Sequence, residues 1–192
     1  AYILVQHLDP THESMMVDLL ASHTRLKVQQ ATDGMPIEAD CFYVIPPGVY
    51  LSTKDGALRL SGPKPHHGAR LPFDFLLQSM AEDSGARTIC VILSGTGGDG
   101  ALGLRAIKRK GGFVIAQDPD DAAFDGMPRS AIMTGDVDLI LPVAKIAAML
   151  LKRSREIINT PLTDGSIKGG AEWEFPSELI ELLRTRTAHD FR

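Results

Sequence analysis

Cysteine is nearly absent: Cys41 and Cys90 are the only two in 192 residues, far apart and in no ligand spacing. That leaves no disulfide-stapled scaffold and no cysteine-built metal centre, only two reduced thiols, with Cys90 inside an apolar run as packing. Excess base is missing too. Lys and Arg total 20 against 24 Asp and Glu, a net charge of −4, so there is no basic face to grip a nucleic-acid backbone. Long hydrophobic runs are lacking, since stretches such as Ile89–Leu93 and Ile146–Leu151 fall far short of a membrane span. No internal repeat and no signal peptide are visible. What is present is globular, with 44% apolar and 23% charged residues, enough for one sizeable domain and some extra. Opening at Ala1 on an apolar strand without an initiator Met, the chain reads as an excerpt of something longer.

The apolar spacing alternates between strand and helix. Tyr2–Val5 reads as a buried strand, and His12–His23 carries Met15, Met16, Leu19 and Leu20 at helical spacing. From Leu26 to Leu60 the signals are β: Val28, Cys41–Ile45, then Tyr50–Ser52 and Leu58–Leu60 around the turn residues Asp55-Gly56. Pro46-Pro47-Gly48 forces a turn within that stretch. A cleaner block follows, in which Pro72–Asp83 is helical and Thr88–Leu93 is a near-continuous apolar strand covered on both faces. Ala101–Lys110 is a helix stopped by Gly111-Gly112, and Phe113–Ala116 is the next strand. A short helix after Pro128, a strand at Val137–Leu141 and a helix at Val143–Arg153 complete the block. This order predicts an α/β fold: a doubly wound, mostly parallel sheet with flanking helices and a small β-hairpin. Residues 1–152 make that domain. Residues 153–175, with Pro161, Gly165, Gly169 and Gly170, read as a linker, and 176–192 as one more helix beyond it.

Ligands of an open parallel sheet bind beyond the carboxyl ends of its strands. Gln6-His7 follows the first strand, and Ser94-Gly95-Thr96-Gly97-Gly98-Asp99-Gly100 follows Thr88–Leu93. Parallel strands put His7 and Asp99 on one sheet edge. An imidazole beside a carboxylate is two-thirds of a hydrolase triad, the carboxylate fixing the tautomer and steadying the imidazolium. The plain alternatives are a histidine that caps a strand end and an Asp99 that N-caps the helix after it. Gly95, Gly97 and Gly100 also satisfy G-x-G-x-x-G between a strand and a helix, with Asp118 beyond, which is the context of a dinucleotide fingerprint. Against that, Asp99 would repel a pyrophosphate on the helix N-terminus, and the strand comes midway in the fold. Pro63-Lys64-Pro65-His66-His67 reads as a solvated loop for want of a third metal ligand. Asp118, Asp120 and Asp121 read as a turn around Pro119, and Lys108, Arg109 and Lys110 as a solvated helix end.

Several stretches are recognisable. Val5-Gln6-His7-Leu8, Ala31-Thr32-Asp33-Gly34, Tyr43-Val44-Ile45-Pro46-Pro47, Val91 to Gly100 and Gly126-Met127-Pro128-Arg129-Ser130-Ala131 resemble the chemotaxis protein-glutamate methylesterases. They come in that family's order and at about its spacing, from Ala1 to about Lys152. The wording is most like the variety fused to a chemotaxis methyltransferase, and Ile180 to Phe191 looks like the opening of that partner's N-terminal helical domain. Only its first helix is present, so no S-adenosylmethionine site is implied.

The resemblance implies a cytoplasmic serine esterase, without cofactor or metal, that hydrolyses γ-glutamyl methyl esters on the methylated cytoplasmic helices of chemoreceptors. Deamidation of receptor glutamines often accompanies this activity, and neither nucleic acid nor membrane insertion is implied. By matching position, His7 is the general base, Asp99 orients its imidazole, and the backbone N–H of Thr96, where the family commonly has Met, helps hold the oxyanion. The family's nucleophilic serine sits in a glycine-flanked turn after the first strand, a helix ahead of the histidine. That strand, turn and helix are expected to be missing here, and this chain alone to be inactive. Ser94 is on the correct edge, but the resemblance gives it a structural place. The missing strand predicts a bare edge on Tyr2–Val5, and hence a homodimer across it or marginal stability. Two other readings stay open: a receptor-docking module without chemistry, and a dinucleotide-dependent oxidoreductase resting on the Gly95–Gly100 loop.

Overall fold

The computed structural model describes residues 1–6, 15–62 and 71–159. His7, the loop at 63–67, most of the expected linker and the expected last helix lie outside the described residues.

Three short strands make one parallel sheet in the order β1-β3-β2: β1 (Tyr2–Leu4), β2 (Lys27–Gln30) and β3 (Cys41–Val44). A two-stranded antiparallel hairpin follows, β4 (Tyr50–Lys54) and β5 (Ala57–Ser61). Its tip, Asp55-Gly56, takes φ of 53° and 71°, the positive pair that a tight right-twisted hairpin turn requires. A second parallel sheet runs β6-β7-β8, from β6 (Ile89–Ile92), β7 (Phe113–Gln117) and β8 (Leu139–Leu141). The helices are α1 (Met16–Ala21), α2 (Pro72–Asp83), α3 (Ala101–Arg109), α4 (Gly126–Met133) and α5 (Val143–Asn159). The α/β expectation therefore holds, with the parallel strands divided between two three-stranded sheets.

Alternation along the strands sorts the core. In β3, Cys41 and Tyr43, continued by Ile45, face the hairpin residues Leu51 and Leu58, while Phe42 and Val44 face Leu20 of α1. In β6, Cys90 and Ile92 pack with Leu104 and Ile107 of α3, whereas Ile89 and Val91 face Val143 and Ile146 of α5. Helix α2 ties the halves together, because Leu76 enters the first core and its neighbour Leu77 the second. Both are about 2% exposed, and each contributes about 1.5–3 kcal/mol by burial.

Three local differences from the sequence reading have physical causes. Helix α4 begins at Gly126, ahead of Pro128, because a proline in the first helical turn removes an N–H that has no intrahelical acceptor. Helix α5 continues past Arg153 to Asn159, supported by the Arg153–Glu156 ion pair at 2.7 Å. Lys108 is more than a solvated helix end. Its ammonium meets Asp138 at 2.6 Å, and Asp138 also accepts the Val114 N–H at 2.8 Å, joining α3 to the approach of β8.

The outer edges of β1 and β6 have no strand partner among the described residues. Both line one groove of about 640 Å³, which Leu77 and Met80 of α2 and Ile146 and Leu150 of α5 also border.

Candidate active site

The segment Ser94–Gly100 leaves the carboxyl end of β6 and is tied down on two sides. Toward β7, the Ser94 N–H donates to Gln117 Oε1 at 2.8 Å, and the Gln117 amide in turn donates to Asp121 Oδ2 at 3.0 Å. Asp121 Oδ2 also accepts the first-turn Val143 N–H of α5 at 2.9 Å. Toward α4, the Gly95 N–H donates to the Phe124 carbonyl, the Met127 N–H donates to the Gly95 carbonyl (both 2.9 Å), and Ser130 Oγ donates to the Gly97 carbonyl at 3.2 Å. Close approach requires small residues here. A Cβ on Gly95 would lie 2.6 Å from Met127 Sδ, and one on Gly126 would lie 3.3 Å from the Gly97 nitrogen. Between these ties the amides of Thr96, Gly97 and Gly98 have no acceptor among the described residues, and all three residues are exposed. A run of free amides after a strand end can receive a developing oxyanion.

Asp99 closes the segment and is 8% exposed. The structure corrects the idea that it N-caps the helix that follows. The N-cap of α3 is Gly100, at φ 102° with no side-chain cap, while the Asp99 carboxylate reaches across to α2 and accepts the N–H groups of Phe73 at 3.0 Å and Asp74 at 2.9 Å. The α2 N-terminus thus faces the Asp99 charge, a favourable arrangement for an anion. Gly100 also lies under the Phe73 ring, where an added Cβ would come within 2.6 Å of Cδ1. That covered glycine gives no support to a dinucleotide on this loop.

Ser94 keeps a structural place: its Oγ accepts the Phe124 N–H at 2.9 Å. Sequence reasoning missed the ties made by Gln117, Asp121 and Ser130. Ser130 stood within a recognised motif, but nothing along the chain points from Gln117 to Ser94. Asp74 was also missed, because an acid in a first helical turn ordinarily reads as an exposed dipole partner. Asp118 and Asp120 form a turn, with the Asp120 N–H donating to Asp118 Oδ1 at 3.1 Å. Among the described residues, no group of three or more His, Cys, Asp and Glu is placed to hold a metal. Both cysteines are free and buried, and burial raises the pKa of the Cys90 thiol.

Set against known proteins, this sequence matches the CheB methylesterase profile over residues 1–150. The chain belongs to the CheB methylesterase family. It is 33% identical over 159 residues to a protein-glutamate methylesterase/protein-glutamine glutaminase of Syntrophomonas wolfei, covering 79% of this chain and 45% of that protein. It is 44% identical over 144 residues to an uncharacterized 104.1 kDa protein of Rhodobacter capsulatus, covering 73% of this chain and 15% of that one. The crystal structure of the Thermotoga maritima CheB methylesterase catalytic domain superposes with a TM-score of 0.72 at 33% identity, over 79% of this chain and 82% of that one. The chain spans less than half the length of these two curated relatives. Within this CheB domain, no described helix is long and apolar enough to cross a membrane.

Proposed function

We propose that this CheB domain supplies the imidazole, the carboxylate and the oxyanion donor of a Ser-His-Asp esterase acting on γ-glutamyl methyl esters of chemoreceptor helices. The observation that carries the reading is the buried Asp99 carboxylate, held at the carboxyl end of β6 beside the free amides of Thr96–Gly98. The serine is brought by a strand seated between β1 and β6, whose outer sides border one groove and have no strand partner among the described residues. His7, one residue beyond Gln6, takes the serine proton as the hydroxyl oxygen attacks the ester carbonyl. The carbonyl oxygen gathers negative charge and is received by the Thr96 N–H, while Asp99 steadies the imidazolium. The imidazolium then returns its proton to the departing methoxide, which leaves as methanol. A water molecule, deprotonated by His7, cleaves the acyl-serine to glutamate and regenerates the hydroxyl. A glutamine side chain would follow the same course with ammonia leaving. Residues 176–192 are read as the start of a methyltransferase domain in the same polypeptide.

Methanol release from methylated receptor tests the reading, comparing this chain with the product of the complete reading frame. Activity in the longer product that disappears with His7→Ala is the expected result, with no turnover by the 192-residue chain alone. Two folded products that both release no methanol would instead make the domain a receptor-docking module.

A further inference from the structure

Asp99 and Asp74 each hold the helix on which the other depends. Asp99 directly precedes Gly100, the N-cap of α3, and accepts the first-turn amides of α2. Asp74, in the first turn of α2, accepts the Gly103 N–H of α3 at 2.7 Å. Asp74 is 5% and Asp99 8% exposed, so neither is an ordinary surface cap. Where the helices meet, a Cβ on Gly103 would lie 2.5 Å from Leu77 Cβ, and only glycine allows this approach.

This arrangement is electrostatically costly. Burial raises the pKa of the Asp74 carboxyl, and the Asp99 charge adds to the rise, while the Gly103 N–H opposes it. A first-turn acid helps its own helix equally well from the exposed face, without that cost. Reciprocity accounts for the burial. The segment ahead of Asp99 contains Gly97 at φ 90° and Gly98, so it has little stiffness of its own. Asp99 keeps one orientation because α2 grips it, and α2 keeps its place on α3 because Asp74 grips Gly103.

We propose that Asp74 is a positioning residue for Asp99, fixing the carboxylate that orients His7. This rests on the triad reading of Asp99. The test measures methanol release in the complete reading-frame product, and the amide resonance of Phe73 in this chain, for Asp74→Asn, Asp74→Ala and Asp74→Glu. Asp74→Asn keeps an oxygen that accepts the Gly103 N–H, and is expected to retain both kcat and the low-field Phe73 resonance. Asp74→Ala is expected to lose about tenfold to a hundredfold in kcat at unchanged KM, with the Phe73 resonance moving upfield. If Asp74→Ala does not fold, Asp74→Glu carries the test, since its extra methylene displaces the carboxylate and predicts the same loss of kcat. A folded Asp74→Ala or Asp74→Glu with unchanged kcat and resonance overturns the proposal, as does Asp74→Asn failing as badly as Asp74→Ala. Asp99→Asn separates the two readings. Turnover surviving that change removes the triad itself, whereas an inactive Asp99→Asn beside a fully active Asp74→Ala removes only the role of Asp74.

Discussion

Around β6, two adjacent regions are built in opposite ways. At the carboxyl end of the strand, Ser94–Gly100 is fixed by directed polar contacts from β7, α2 and α4, with glycines wherever backbones come close. Along the strand's other side, where no strand pairs with it among the described residues, the groove shared with β1 offers mainly apolar side chains and specifies only a shape. Directed contacts fix one geometry and fail sharply when a partner is lost. An apolar seat tolerates substitution of similar volume. A reaction needs the first kind of surface where charge moves, and the second where an element only has to lodge.

The largest effect is expected at the polar end. Asp99→Asn in the complete product should lower methanol release by about 10³-fold or more while the protein stays folded by circular dichroism. Next comes Gly100→Ala, which places a side chain at φ 102° against the Phe73 ring. It should cost about 1–3 kcal/mol in urea unfolding. The pH dependence of stability gives a smaller signal. The raised pKa of Asp74 means that its contribution is fully present below 3.8 and is lost as pH rises through the folded value. Asp74→Asn should therefore flatten the stability profile above pH 3.8, as read by urea midpoints at successive pH values. The smallest effect belongs to the groove. Leu150→Met, of similar volume and half-buried where α5 borders the groove, should cost about 1 kcal/mol or less in the same assay. A groove substitution costing more than Gly100→Ala would reverse the contrast.

The same contrast explains what could be read along the chain. Apolar periodicity located α2, β3, β6 and β7 because burial on one or both faces leaves its period in the sequence, as in the wholly buried Cys41–Val44. Gly-rich spacing located the loop and singled out Asp99. The partners of Asp99 were illegible, since Phe73 and Asp74 contribute backbone amides that any residue type supplies. The division into two sheets was also hidden, because a strand's period records which faces are covered and says nothing about which edge is bare.

Helix α2 also determines when the site exists. The amides that hold Asp99 come from residues 26 and 25 positions earlier in the chain, on the one helix whose leucines enter both cores. Local helices and the hairpin can form while those halves are still apart, but the carboxylate acquires its orientation only on docking. During refolding, helical ellipticity is therefore expected to return first, and the fixed Asp99 carboxylate only once the two cores have closed on α2.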